Sequence, residues 1–247
     1  MTNTNEKTCW RHEYKYICNA MQNEILKTRA ESLLHRDLHA GETGVYRVRS
    51  LYLDDPYNRC FWENEDGTDQ RAKYRIRIYN EDAGYISLEK KLKYRGMTHK
   101  NTYKISESLC RTIMEGRLPE LQAGKGISGE PEAEERLLAV LAEIRGLALR
   151  PAVIVEYERR PFVEENGNVR ITFDRDISSS HEFRSFLEPR IMTRPVMPPG
   201  AGIMEVKWDS HLPSYIRGHM ELDTIKWSTF SKYYLCRKYN CHGGSIL

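Results

Sequence analysis

KYRIRIY, running from Lys73 to Tyr79, alternates basic and apolar residues at a period of two. Successive side chains on a strand point to opposite faces, so Lys73, Arg75 and Arg77 share one face and Tyr74, Ile76 and Ile78 the other. Alternation of this kind reads as a strand with one cationic and one apolar side. The pattern recurs outward from that stretch. In LEKKLK, Glu89, Lys91 and Lys93 align opposite Leu88 and Leu92, and towards the N-terminus Arg11, Glu13 and Lys15 align. Tyr157 and Arg159 share a face, and Arg170, Thr172 and Asp174 stand against Val169, Ile171 and Phe173. Glu205 and Lys207 face away from Met204, Val206 and Trp208. One such strand is an ordinary half-exposed sheet with its charges in water. Six strands whose charged faces select Arg and Lys, punctuated by single carboxylates, point to one shared basic surface. Paired guanidinium and ammonium groups are the geometry that clamps phosphate oxygens. If the sheet closes with that face inward, mutual repulsion calls for an anionic filler, which a polyanion supplies.

Strands are expected at Arg11 to Cys18, Tyr46 to Asp54, Ala72 to Asn80, Gly84 to Tyr94, Thr98 to Ile105, Ala152 to Val163, Asn168 to Ile177 and Ile203 to Trp208. Glu81 to Gly84 reads as a hairpin connection. Helices are expected from Asn19 to His35, Ser106 to Gly116 and Pro131 to Ile144, with a last one from a Ser228 cap to Tyr239. Gly124 to Gly129 is a surface loop or a lid. Sequential hairpins with helices between groups make an antiparallel α+β protein, a single domain over residues 1 to 247. Closing the sheet into a barrel removes its exposed edges. On the second strand, Arg47 and Arg49 lie opposite Ser50, Tyr52 and Asp54, so both sets cannot line one lumen without a bulge.

A net charge of +3 argues against a general nucleic-acid binder. No run approaches the roughly 20 apolar residues of a membrane span, and the N-terminus has no signal-peptide core, so a soluble cytoplasmic protein is expected. Six cysteines form no C-x-x-C pair and read as reduced thiols; Cys236, Cys241 and His242 lack the further ligands of a zinc site. The histidines show no metalloprotease spacing, and Ser231 has no triad partners in its motif.

RHEYKY at 11 to 16, SLYLDD at 50 to 55, KYRIRIY at 73 to 79, LEKKLK at 88 to 93, EYERRPF at 156 to 162, VRITFD at 169 to 174, IMEVKW at 203 to 208 and FSKYYL at 230 to 235 together resemble the vacuolar transporter chaperone (VTC) domain. That domain is the polyphosphate-polymerase branch of the triphosphate tunnel metalloenzymes. The resemblance implies an eight-stranded antiparallel β-barrel with flanking helices, binding the triphosphate of ATP with a divalent cation, Mn²⁺ or Mg²⁺. It implies that Arg75, Arg77, Lys91, Arg159 and Arg170 grip phosphates with Lys15, and that Ser231 and Lys232 touch phosphate from the final helix. Tyr157 would line the tunnel, with Lys93 and Lys207 contacting substrate. Glu205 would hold the metal, since hard cations prefer carboxylate oxygen. The resemblance also turns Ser50, Tyr52 and Asp54 inward. Glu13, Glu89 and Asp174 stay open between metal ligation and orientation of neighbouring cations. The superfamily's E-x-E-x-K strand here begins with Arg11, which fits one firmly held metal.

Three functions remain at this point: ATP-dependent polyphosphate synthesis, hydrolysis of triphosphate or nucleoside triphosphate, and non-catalytic polyphosphate binding. The expected partners are ATP, triphosphate or polyphosphate, without nucleic acid and without direct membrane insertion. A membrane-protein partner would deliver product across a membrane.

Overall fold

A computed structural model describes residues 10–118 and 131–241. The Gly124 to Gly129 stretch, Cys9 and His242 lie outside the described residues. The strands are β1 (His12–Cys18), β2 (His35–Arg36), β3 (Tyr46–Asp54), β4 (Arg71–Tyr79), β5 (Asp82–Tyr94), β6 (Met97–Ile105), β7 (Arg150–Glu164), β8 (Val169–Ser180), β9 (Arg194–Pro195) and β10 (Gly202–Trp208). The helices are α1 (Ala20–Leu33), α2 (Arg59–Glu65), α3 (Glu107–Met114), α4 (Pro131–Gly146), α5 (Ser214–His219) and α6 (Lys232–Cys241).

Every ladder is antiparallel, and the eight long strands run β1-β10-β8-β7-β3-β4-β5-β6, with β2 added to β7 and β9 to β8. The two end strands meet at one bridge, where Arg11 and Thr98 exchange backbone hydrogen bonds of 2.9 Å each. The sheet therefore curls into a barrel-like tunnel with a thin seam, the architecture the resemblance implied. Beside the seam Trp227 bridges Tyr16, and Ser228 N–H donates to the Lys15 carbonyl at 2.9 Å.

Two tight turns set the β4–β5–β6 meander. Asn80 and Glu81 both have positive φ (52° and 60°), as do Arg95 and Gly96 (49° and 75°). Two-residue turns of this hand match the right-handed twist of the strands they join. The first of them corrects the expected connection across Glu81 to Gly84: pairing already resumes at Asp82 opposite Tyr79.

The apolar faces lie mostly outside the tunnel, under helices. Leu51, Ile76, Ile78 and Leu88 pack with Ile113 of α3 and Leu141 and Ile144 of α4. Ile171, Phe173 and Val206 pack with Leu26 and Ala30 of α1 and Ile216 of α5. Burying each such side chain stabilises the fold by about 1.5–3 kcal/mol. Helix α6 is the exception, because Tyr233 and Cys236 pack against Val48, Val153 and Val155, on the faces of β3 and β7 that carry Tyr52 and Tyr157. It starts at Lys232, not at the expected Ser228, whose backbone is engaged with β1. Ser231 Oγ takes the capping position instead, accepting from Tyr234 N–H at 3.3 Å. Cys18, Cys60 and Cys110 are buried free thiols, and burial raises the Cys18 thiol to about 11. Among the described residues no helix is long and apolar enough to cross a membrane.

Candidate functional site

The charged faces of the long strands converge on one cavity of about 1900 Å³. Its wall includes all twelve side chains singled out from the sequence: Arg75, Arg77, Lys91, Arg159, Arg170, Lys232, Lys15, Tyr157, Lys207, Ser231, Lys93 and Glu205. Strand parity accounts for this. The register pairs Arg75 with Glu89, Lys73 with Lys91 and Arg71 with Lys93, so β4 and β5 present their period-two charges to the same side.

The cations are tied to carboxylates on neighbouring strands. Arg75 Nε and Nη2 each lie 2.6 Å from Glu89 Oε2, and Arg77 Nη1 lies 3.7 Å from the same oxygen. Arg75 also donates to Tyr52 Oη at 2.9 Å, and Arg77 to Ser50 Oγ at 2.9 Å and Tyr157 Oη at 3.4 Å. Arg159 grips Asp174 with two bonds of 2.6 and 2.7 Å. Lys232 spans Asp174 and Glu205 at 2.6 Å each, while Lys207 spans Glu205 at 3.1 Å and Glu13 at 3.4 Å. Lys91 reaches Glu13 at 2.6 Å, and Lys15 donates to the Phe230 carbonyl at 3.2 Å. Arg170 meets Asp37 at 2.8 Å and Tyr46 Oη at 3.2 Å. The expectation that mutual repulsion in the closed lumen calls for an anionic filler is thus corrected: Glu13, Glu89, Asp174 and Glu205 supply internal counter-charge. Burying that many cations requires such partners.

Electrostatics follows from this crowding. Burial alone would raise Glu205, but Lys232, Lys207, Lys15 and Arg159 outweigh it and hold the carboxyl well below its usual range. Glu13 and Glu89 are pulled down in the same sense, Glu13 by three lysines and Glu89 by Arg75, Arg77 and Lys100. Burial lowers the Lys91 ammonium to about 7, against the pull of Glu13 and helped by Lys15 and Lys207.

Parity also sorts the second strand. Tyr52 lines the cavity and Ser50 bonds into it, whereas Arg47 and Arg49 lie on the outer side. Arg49 is 2 % exposed and bonds Glu156 at 2.6 Å and the Phe186 and Pro189 carbonyls, a structural role. Asp54 accepts from Cys60 N–H at 2.9 Å and Phe61 N–H at 3.3 Å, capping α2, and from Tyr233 Oη of α6.

Two cavity residues were missed among the sequence candidates. Lys73 donates to Asn64 Oδ1 at 2.7 Å and Ser231 Oγ at 2.8 Å; burial, then Lys15, Arg71 and Lys91, lowers its ammonium well below the ordinary range. Its signal was present, since it heads the KYRIRIY face. Lys100, which bonds Glu89 at 3.0 Å, emerges only from cross-strand register; Tyr52 was turned inward by the resemblance, and the register adds its bond to Arg75.

Among the described residues no group of three or more His, Cys, Asp or Glu forms a ready metal cage. Glu205 and Glu13, on the paired strands β10 and β1, are the carboxylates joined through Lys207. Two carboxylates are the hard oxygen donors that a divalent cation prefers.

The VTC domain model matches residues 10–240. No curated protein matches the chain by sequence. Among solved structures, a Hippeastrum protein proposed as an adenylyl cyclase and found to have a dominant triphosphatase activity is 12% identical, with a TM-score of 0.51 over 94% of this chain and 96% of that one. The PH1819 protein of Pyrococcus horikoshii is 13% identical with a TM-score of 0.45, covering 93% and 98% of the two chains. The capping-enzyme triphosphatase of Mimivirus is 13% identical with a TM-score of 0.36, covering 83% and 82%.

Proposed function

Because the chain belongs to the VTC domain family, we propose that it is an ATP-dependent polyphosphate polymerase, transferring the γ-phosphoryl group of ATP to a growing phosphate chain inside the tunnel. The carrying observation is the convergence of Arg75, Arg77, Arg159, Arg170, Lys91 and Lys232 on one cavity. Most of these cations are fixed by a carboxylate or hydroxyl behind them, so they are oriented before substrate arrives. Preorganised cations stabilise charge spreading over a transferring phosphoryl group and need no protein nucleophile. A terminal oxygen of the acceptor chain attacks the γ-phosphorus. The bond from that phosphorus to the β,γ-bridging oxygen breaks, and its electron pair leaves with ADP. Arg75 and Arg159 are aimed by Glu89 and Asp174, and Lys232 is held by Asp174 and Glu205. Glu205, with Glu13 beside it, would hold Mn²⁺ or Mg²⁺, which when bound neutralises phosphate charge.

The second reading is hydrolysis of the same triphosphate, favoured by a cavity of about 1900 Å³ that leaves room for water beside the chain. Incubation with ATP and Mn²⁺, followed by a polyphosphate-stained gel and a free-phosphate assay, decides between them. Long chains support synthesis. Free phosphate without chains overturns it in favour of hydrolysis, and neither product reduces the tunnel to a binding module.

A further inference from the structure

The tunnel has two chemically different ends, and β4 shows both on one face. Its cavity side runs from Lys73 through Arg75 and Arg77 to Tyr79, about 20 Å by strand rise. At the Lys73 end the register places Arg71 opposite Lys93, and among the described residues Lys73, Lys93 and Arg71 enter no ion pair. That end suits bare phosphate. At the other end tyrosines line the wall, with Lys104 Nζ 5.8 Å from the Tyr85 ring centroid. Tyr46 and Tyr79 meet edge to face with centroids 5.8 Å apart, and Tyr79 and Tyr85 follow at 6.5 Å with planes tilted by 39°. Tyr85 is 44% exposed at the opening. The phosphate clamp begins immediately inside: Arg77 lies 6.0 Å from the Tyr79 ring and Arg170 bonds Tyr46 Oη at 3.2 Å.

We propose that the Tyr79–Tyr85 mouth is a stacking site for the base of a nucleoside triphosphate, so that the nucleotide lies with its base at this end and its phosphates running inward to Arg77. This rests on the proposed reading that the tunnel takes ATP, and it assigns a binding role to residues outside the phosphate clamp. A large aromatic ring left exposed beside an arginine lattice offers a π-face that any base can use. The loose, tilted Tyr79–Tyr85 pairing and the flexible Lys104 side chain, whose ammonium lies 5.8 Å from the Tyr85 centroid, leave room for a base to come against the ring. Phosphate recognition supplies no discrimination between ATP and inorganic tripolyphosphate; stacking here does.

The test titrates the parent, Tyr85→Ala and Tyr85→Trp with adenylyl imidodiphosphate and, separately, with inorganic tripolyphosphate. Tyr85→Ala should weaken the nucleotide analogue on the order of tenfold. It should leave tripolyphosphate within about twofold, since that ligand has no base to stack. Tyr85→Trp should restore nucleotide affinity, and because Tyr85 is 44% exposed and outside the buried core both variants should fold. Loss of both ligands to the same extent, or loss of neither, overturns the stacking site while a parent that still binds tripolyphosphate keeps the tunnel reading. A parent that binds neither ligand overturns both.

Discussion

Lys91, whose ammonium is lowered by burial to about 7, carries a charge open to pH. Below about pH 7 it is an ammonium in both the folded and the unfolded chain. Above that value the folded chain has released a proton that the unfolded chain keeps until the ordinary lysine range, about 10.4. The unfolded state then binds more protons, so this group makes ligand-free stability rise with pH between those limits. A bound polyanion favours the ammonium and reverses the trend. Tripolyphosphate affinity measured calorimetrically between about pH 8 and 10, where Lys91 in the free protein has lost its proton, should fall with rising pH by up to about tenfold per unit. Lys91→Arg, which keeps its charge throughout, should make the curve shallower, with the lowered Lys73 keeping part of the slope.

Also at the scale of the residue, Glu205 tests the metal assignment. Glu205→Gln keeps shape and one donor oxygen but removes the charge, and Asp174 still anchors Lys232 at 2.6 Å. Activity titrated against Mn²⁺ should shift to higher metal, with partial rescue at saturation; superimposable curves for parent and variant would take Glu205 out of the metal site. Arg75→Ala should lower turnover on the order of 10²-fold or more. It should also lower stability, because it strips the 2.6 Å partner from Glu89, which is 1% exposed. Without knowledge of Glu89, the same substitution would be expected to relieve repulsion and hold or raise the melting temperature. That difference marks what a sequence does not show: period two tells which face a charge is on, but not which charge on the next strand it meets.

At the scale of elements, parity carried most of the site. The alternation from Lys73 to Tyr79 and from Leu88 to Lys93 was enough to orient β4 and β5, because a strand has only two faces. Helix α2 and the start of α6 were not legible, for a common reason: long-range partners decide both. Asn58 enters α2 with a left-handed φ of 56° and no side-chain cap, and the capping is done by Asp54 at the end of β3. The segment before α6 spends its backbone on β1. Asp54 is therefore a joint between three elements, β3, α2 and, through Tyr233, α6. Asp54→Ala should cost about 3 kcal/mol by orphaning buried donors, or roughly 6–12 °C of melting temperature in a chain of this size. Because α6 carries Ser231 and Lys232 to the cavity, tripolyphosphate affinity should fall too. A variant that melts normally would show α6 docked by its apolar contacts alone.

For the molecule as a whole, the balance of cations and carboxylates means the empty tunnel is already a stable object. A ligand then adds its binding energy to a fold that does not depend on it. Tripolyphosphate at about a hundred times its dissociation constant should stabilise by about 2.7 kcal/mol, roughly 5–10 °C. Arg159→Ala, which removes a clamp from the middle of the cavity, should abolish most of that shift. The pairing of β1 with β10 has a different consequence, for the order in which the chain can be assembled. His12 pairs with Trp208, so about 200 residues must be made before the first strand has its long-range partner. At about 5–20 residues per second the ribosome needs on the order of 10–40 s to supply it. Throughout that interval Tyr14, Tyr16 and Ile17 belong to an orphan strand, and Lys15 in its centre is the charge that discourages it from joining the wrong chain.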